Sequence, residues 1–304
     1  AMMHCTFPEE ELIKERKVIL EEFNRQVDMP QAKLFDNLNA ELYEETPYKY
    51  RVIGSSVNIA SFSREQILQT YKTYYVPHNM VLVIAGDFNT KKLKKMVREI
   101  FTAPRADTKL IIPDLIEPYK KSYDIIISSA NIQQTYIMLG FLGPAWDHKD
   151  QYALDLLSII LGQGRSSRLN KSLREKKKLV WSIDAYFYTH TGTGLFTISA
   201  ACDPEKQDAV LEAIQDELDY VKDNPPAEAE IQRAKKIIQA NLIYANETYN
   251  AQASQLGQYA LLNQLTFLKK YMQNIQKAGS VDIMRVFYRY LNRQHKAVSI
   301  IVPK

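Results

Sequence analysis

Glycine and cysteine are scarce in this chain, and each shortage excludes a class of protein. Its 10 glycines in 304 residues form no Gly-x-Gly-x-x-Gly, no Walker loop and no Gly-x-Ser-x-Gly, which excludes the common nucleotide-binding and serine-hydrolase motifs. The two cysteines, Cys5 and Cys202, are far apart and form no Cys-x-x-Cys pair. We therefore expect two buried thiols and no disulfide framework.

Long charged runs and long apolar runs are missing as well. Lys and Arg number 39 against 35 Asp and Glu, and no basic run exceeds Lys176–Lys178, so we expect no nucleic-acid partner. Apolar runs such as Val81–Ala85 and Leu156–Leu161 are far shorter than the roughly 18 residues that span a bilayer, so we expect no membrane segment. The composition that remains, 46% hydrophobic and 24% charged, is typical of a globular chain with room for two domains.

The chain contains an internal repeat. Ser63–Lys72 matches Ser280–Arg289 at an offset of about 217 residues, and the match continues into the apolar segment that follows each. Glu11–Ile19 matches Glu230–Ile238 at an offset of about 219 residues. Each copy of the first pair predicts a capped helix followed by a strand, which indicates two homologous domains.

The repeat also predicts where the domains lie. The first copy ends near Phe88, so we expect roughly 130 residues of it to precede this chain. We assign residues 1–103 to the C-terminal part of the first domain, the proline-rich residues 104–122 to a linker, and residues 123–304 to the second domain. The start of the chain shows no signal-peptide pattern, and the sequence does not predict a compartment.

Hydrophobic periodicity predicts an α+β fold, in which each domain is a mostly antiparallel sheet with helices packed on one face. In the second domain the strands are followed by helices rather than alternating with them one by one. The first predicted helix ends near Asp28 and the second spans residues 31–43. The later predicted elements are strands 124–128 and 134–141, helices 150–161 and 167–176, strands 180–188 and 195–201, then three or four helices and a last strand.

Two glutamates in the first helix are candidates for chemistry. Glu15 and Glu22 are seven residues apart, only about 20° off alignment around a helix, so both project from one face. Their counterparts in the other copy of the repeat are Ala234 and Asn241, so one copy carries carboxylates where the other has none. The spacing alone is equally typical of a solvated acidic helix face.

Taken together, several motifs resemble the insulinase or pitrilysin-type zinc peptidases, which include the mitochondrial processing peptidases and their bacterial relatives. The resemblance covers essentially the whole chain. The motifs that carry it are Phe7–Leu12, Glu15–Glu22, Val52–Ser55, Tyr75–Asp87, Leu161–Leu169 and Leu173–Ser182.

The resemblance implies a zinc site to which this chain supplies one ligand. Glu22 matches the glutamate that is the third zinc ligand, and Glu15 matches a supporting acidic residue on the same helix. The other two ligands and the general base belong to an H-x-x-E-H motif, which this chain lacks. We therefore expect zinc in the full-length protein and none bound by this chain alone. The five histidines are isolated and are expected at the surface or at helix ends: His4, His78, His148, His190 and His295.

The resemblance also implies a substrate-binding pair. Arg174 and Trp181 match positions where an arginine and a tyrosine of the second domain contact the substrate backbone. Tryptophan is a departure, because an indole donates one hydrogen bond but cannot accept one as a phenol does. Two other interpretations stay open: Trp181 on a buried strand face with Ile183, and Arg174 in a surface ion pair.

The function that these observations predict is zinc-dependent endopeptidase activity of the full-length protein on peptides or unfolded segments. The resemblance implies a homodimer or a heterodimer with a sister subunit. A non-catalytic partner subunit of such a heteromeric peptidase is the alternative, and a separate binding module without metal is a third.

Overall fold

The computed structural model describes residues 4–27, 29–101, 114–120, 122–291 and 295–304, without the side chain of Leu268. The chain divides into two compact units. Unit 1 comprises Ala1–Glu22, Ser55–Ile112 and Gln239–Tyr271, and unit 2 comprises Phe23–Gly54, Pro113–Ile238 and Met272–Lys304. Most of the predicted linker, 104–122, lies outside the described residues, and the predicted domain boundaries stay a prediction.

The helices match the predicted ones, except that five helices, not three or four, lie between the fourth strand and the last strand. Proline at position 30 ends the first helix and begins the second, because it lacks the N–H that a helix interior needs but suits a first turn. In chain order the helices are α1 (Glu9–Val27), α2 (Pro30–Leu42), α3 (Ser56–Ser61), α4 (Arg64–Tyr74), α5 (Thr90–Ile100), α6 (Gln151–Leu161), α7 (Gln207–Asp223), α8 (Glu228–Tyr244), α9 (Tyr249–Leu261), α10 (Phe267–Lys277) and α11 (Ser280–Tyr290), with a π-helix at Asn170–Lys176.

Unit 2 contains a five-stranded sheet. Its strands are β1 (Ile125–Ala130), β2 (Thr135–Gly143), β3 (Val180–Tyr188), β4 (Gly194–Cys202) and β5 (Lys296–Pro303), in the spatial order β1-β5-β2-β4-β3. Only β1 and β5 are parallel, and the other pairs are antiparallel. The α+β class with a mostly antiparallel sheet is therefore confirmed.

One face of this sheet is covered by α2. Every fourth residue of the helix from Leu34 to Leu42 is a buried leucine, which is the spacing of a single helix stripe. The core on this face consists of Leu34, Leu38, Leu42, Tyr43, Met138, Leu142, Leu195, Ala297 and Ile301. Burial of so many apolar side chains makes α2 an integral layer of unit 2.

The opposite face is buried too. Ile137, Leu139 and Phe141 alternate with the α2-facing residues of β2, and all three are buried. The helices on this second side are α11, which contacts β2, and α6, which contacts β3. The central strand β2 therefore reads as a continuous apolar run, as expected when both faces are covered.

The two repeat copies differ in the strand that follows the helix. In the second copy, α11 is followed by β5 inside the sheet. In the first copy, Ser63 and Gln66 form a capping box at α4, as the motif predicts. The predicted strand at Val81–Ala85 does not form, and this prediction is wrong. Within the described part of the chain, no strand lies beside it to provide the backbone hydrogen bonds that a strand needs.

Candidate functional site

The two candidate glutamates lie on an exposed helix face. Glu15 and Glu22 both fall within the continuous helix α1, so the seven-residue spacing aligns them as predicted. Both side chains are exposed, and α1 has no buried residue. Both carboxylates therefore lie on the same solvent-exposed side of α1.

The described residues do not form a zinc site. No group of three or more His, Cys, Asp or Glu side chains in the described ranges could hold a metal ion. A catalytic zinc requires three protein ligands, and a single carboxylate such as Glu22 does not meet that requirement. The donor set of this part of the chain therefore does not fit catalytic zinc.

Three of the histidines belong to separate local networks. His148 accepts the backbone N–H of Asp150 at 3.1 Å, at the start of α6. His190 stacks on Tyr48 with ring centroids 4.4 Å apart, and burial lowers its pKa. His295 Nδ1 lies 3.1 Å from the carbonyl oxygen of Lys120. Each imidazole is thus engaged locally.

Arg174 lies on the π-helix, where the sequence predicted an ordinary helix. One buried side chain, Asn170, fixes this segment. Its amide donates to the Gly162 carbonyl at 2.9 Å, to Ser167 Oγ at 3.0 Å and to the Ile183 carbonyl at 2.9 Å. Asn170 is only 5% exposed, so these bonds are shielded from water. The exposed Arg174 is therefore carried on a rigid base.

The loop before the π-helix packs tightly against β3. A Cβ at Gly162 would lie 1.9 Å from the backbone nitrogen of Ala185, closer than any side chain can approach. Gly162 also follows the last residue of α6, a common position for a glycine at a helix end. The glycine is required because the loop backbone rests directly on the strand.

Asp184 is the charged neighbour of Arg174. It lies on β3, and partial burial raises the pKa of its carboxyl while the Arg174 charge opposes that rise. Tyr186 and Tyr188 follow it on the same exposed strand face, with ring centroids 5.1 Å apart. A guanidinium, a carboxylate and two phenol rings therefore share this face of unit 2.

Trp181 is not a core residue. A bulge between Val180 and Ser182 shifts the register of β3, so that Trp181 leaves the buried alternation and is 59% exposed. Its indole Nε1 donates to Asp203 Oδ1 at 2.9 Å. The Lys206 ammonium and then this indole hold the pKa of Asp203 below its usual value. The only donor of Trp181 is engaged, which leaves the ring face for a ligand.

Sequence reasoning missed three residues that shape this face: Asn170, Asp184 and Asp203. Asn170 had a signal, because an amide inside an apolar helix pattern requires buried partners. Asp184 had a weaker one, as a charge between Ile183 and Ala185 in a strand. Asp203 gave none, because its partner is 22 residues away in the chain.

Comparison with known proteins identifies the family of this chain. A family model described as the peptidase M16 inactive domain matches residues 61–238. The uncharacterized zinc protease YmxG of Bacillus subtilis is 28% identical over 302 residues, which cover 99% of this chain and 72% of that protein. The zinc protease PqqE of Helicobacter pylori is 26% identical over 300 residues, covering 97% of this chain and 68% of that protein.

Solved structures agree with this result. The crystal structure of a protease from Helicobacter pylori matches with a TM-score of 0.91 and 26% identity, over 99% of this chain and 74% of that one. A peptidase M16 inactive domain from Pseudomonas fluorescens has a TM-score of 0.88 at 22% identity, over 100% and 72% respectively, which supports the fold. Among the residues described, no helix is both long and apolar enough to span a bilayer.

Proposed function

Because the chain belongs to the peptidase M16 family, we propose that it takes part in zinc-dependent endopeptidase activity on peptides or unfolded protein segments. The motif resemblance found in the sequence is thereby confirmed at the level of the family. The observation that carries the proposal is that Arg174 and Trp181 are both exposed on unit 2, Arg174 on the segment that Asn170 fixes and Trp181 held by its bond to Asp203. Side chains fixed by buried or ionic partners yet open to solvent are suited to binding a ligand.

In this proposal the peptide is held by complementary contacts. The guanidinium of Arg174 donates to a backbone carbonyl of the peptide, since it presents several donors in a fixed plane. Trp181 packs its ring face on the peptide, because its N–H is already bonded to Asp203. Both residues bind and orient the substrate without taking part in bond cleavage.

In this proposal, zinc is bound by the complete peptidase and not by the described residues alone. Zinc, when bound, supplies a Lewis acid that activates water. Glu22 is proposed as one carboxylate ligand and Glu15 as a supporting acid. The two nitrogen ligands have to come from residues other than those described, because the described set does not fit a catalytic site.

A second candidate function is a non-catalytic partner subunit of a heteromeric peptidase, beside a catalytic sister chain. It is favoured by the description of the matching family model as an inactive domain. In that case the chain contributes the peptide-binding face alone.

The test uses the protein encoded by the complete gene. Hydrolysis of a mixture of unstructured peptides and zinc content after dialysis are measured for the parent and for Glu22→Gln. Glu21→Gln is the matched control, because this exposed neighbour lies about 100° away around α1.

The endopeptidase proposal predicts loss of both zinc and hydrolysis in Glu22→Gln and neither in Glu21→Gln. Full zinc content and full turnover in Glu22→Gln would contradict the assigned role of Glu22. A parent protein that cleaves only after mixing with a sister subunit would support the partner alternative instead.

A further inference from the structure

Strand β1 forms one edge of the sheet and has no charged residue. Its sequence from Ile125 to Ala130 contains only isoleucine, serine and alanine. Among the described residues its sole strand partner is β5. Proteins usually protect such edges with lysine, proline or a bulge, because an open edge presents unpaired backbone groups to other chains.

The backbone bonds of β1 show which residues point outward. The carbonyl oxygens of Asp124 and Ala130 accept bonds from Val298 N and Lys304 N, so the even-numbered residues face β5. Successive residues of a strand alternate, and the N–H and C=O groups of Ile125, Ile127 and Ser129 therefore point away from the sheet.

The ammonium group of Lys33 agrees with this assignment. It donates at 3.3 Å to the Ser129 carbonyl, which is one of the groups assigned to point away from β5. Among the described residues, this is the one side-chain hydrogen bond to the outward row, and it lies near the C-terminal end of the strand.

The outward residues also carry the apolar side chains. Ile125 and Ile127 are 61% and 60% exposed, and they lie two residues apart on one face of the sheet. An open backbone edge flanked by two exposed isoleucines matches another extended, apolar strand.

The two ends of β1 carry opposite charges. Asp124 precedes the strand, and its backbone N–H bonds to the Glu41 carboxylate at 3.1 Å, so two acids lie at the N-terminal end. Lys33 lies at the C-terminal end, beside Ser129. Lys120, which is also near the acidic end, is paired with Glu44.

We propose that β1 pairs with β1 of a second copy of this chain, antiparallel across a two-fold axis at Ile127. Ile127 then lies opposite its own counterpart, and Ile125 lies opposite Ser129 of the second copy. Each of these facing pairs exchanges both backbone hydrogen bonds, because all three residues point outward. The two sheets join into one.

Self-pairing is favoured over an unrelated strand because the edge is complementary to itself. The antiparallel arrangement brings the acidic end of each copy next to the basic end of the other, so the same contact forms at both ends of the paired strands. It also joins the isoleucines of both copies into one apolar patch. The contact is small, so we expect a dissociation constant of about 10–100 μM. This inference does not depend on peptidase activity.

Sedimentation velocity of the 304-residue chain over a range of concentrations tests the dimer. Ile127→Lys should raise the dissociation constant at least about tenfold, because it places two like charges opposite each other. The matched control is Val281→Lys on α11, which replaces an 83% exposed apolar side chain that is not part of β1 and should leave the dimer unchanged. A chain that stays monomeric at millimolar concentration, or a dimer that survives Ile127→Lys, would overturn the proposal.

Cysteine cross-linking tests the register without weakening the edge. In a Cys5→Ser background, Ile127→Cys should form a disulfide-linked dimer under mild oxidation, since facing Cα atoms are about 5.5 Å apart. Ile125→Cys alone should not, whereas Ile125→Cys with Ser129→Cys should. Equal cross-linking of the two single variants, or none in Ile127→Cys, would show that this two-fold pairing is wrong.

Discussion

The side-chain amide of Asn170 donates a hydrogen bond of 2.9 Å to the carbonyl oxygen of Ile183, and this bond ties the π-helix to strand β3. The same amide binds the Gly162 carbonyl at the end of α6. Arg174 is carried on the π-helix and Trp181 on β3, so Asn170 sets the position of both. It acts on a ligand only through them.

Asn170→Ala should destabilise unit 2 by about 2–3 kcal/mol, because it leaves buried carbonyl oxygens without a donor. Asn170→Asp should be worse, since a carboxylate would face those same oxygens. Urea unfolding measures both. The control is Asn250→Ala, an exposed asparagine on α9, which should change stability by less than about 0.5 kcal/mol. If Asn170→Ala were as stable as the parent, Asn170 would not be what holds the π-helix to β3.

Arg174→Ala should weaken binding of an unstructured, fluorescently labelled peptide by roughly 10- to 100-fold, because a charged hydrogen bond contributes about 1.5–3 kcal/mol. Lys176→Ala, which removes an exposed cation from the same π-helix, should have little effect. Fluorescence anisotropy gives both affinities. If the two variants weakened binding equally, the contribution would be overall charge and not a specific contact.

Trp181→Phe should retain more peptide affinity than Trp181→Ala, because it keeps an aromatic face and loses only the bond to Asp203. The same anisotropy titration ranks the three proteins. Affinity lost equally in both variants would instead indicate that the indole N–H is what binds the peptide.

Gly162→Ala should destabilise the fold by about 3 kcal/mol or more, since the new Cβ collides with the backbone of Ala185 and not with a movable side chain. Gly279→Ala is the matched control, because nothing lies within 4 Å of the Cβ it would add. Thermal unfolding compares them. A stable Gly162→Ala protein would mean that α6 and β3 separate readily.

Asp150 should make unit 2 sensitive to acid. Burial alone would raise the pKa of this fully buried carboxyl, but hydrogen bonds from Arg285 and Tyr290 and the nearby positive charges hold it below its usual 3.8. The depressed pKa contributes stability that is fully present above about pH 4 and is lost as the pH falls through the folded value.

Asp150→Asn should therefore lower the free energy of unfolding by about 2–4 kcal/mol at pH 7 and flatten its decline below pH 4. Urea unfolding at a series of pH values provides the measurement. Asp147→Asn, at an exposed position three residues earlier, should leave the acid decline unchanged. If the free energy of unfolding of Asp150→Asn fell below pH 4 as steeply as that of the parent, other carboxyls would cause the fall.

Features set by local sequence could be predicted well. The helix α1 ends where Pro30 approaches, and β3 matches the predicted 180–188 because its buried and exposed residues alternate from Ser182 onward. The class of the fold followed from the same periodicities. Glu15 and Glu22 align as their spacing requires.

Features set by tertiary neighbours could not be predicted. Val81–Ala85 has the composition of a strand, but pairing requires an adjacent strand that composition does not reveal. Trp181 fits a buried alternation until one extra residue shifts the register, and a bulge leaves no clear trace in sequence. Asn170 in the π-helix binds two residues of the preceding loop and one residue of β3, and the sequence does not reveal these contacts.

The position of α2 on the sheet has a practical consequence for dividing this protein. A shorter chain that begins after residue 122 keeps every strand but loses Leu34, Leu38 and Leu42, which leaves Met138, Leu142 and Ile301 uncovered in water. Such a chain should be poorly soluble when produced alone. A soluble version of the sheet has to retain the segment that begins at Pro30.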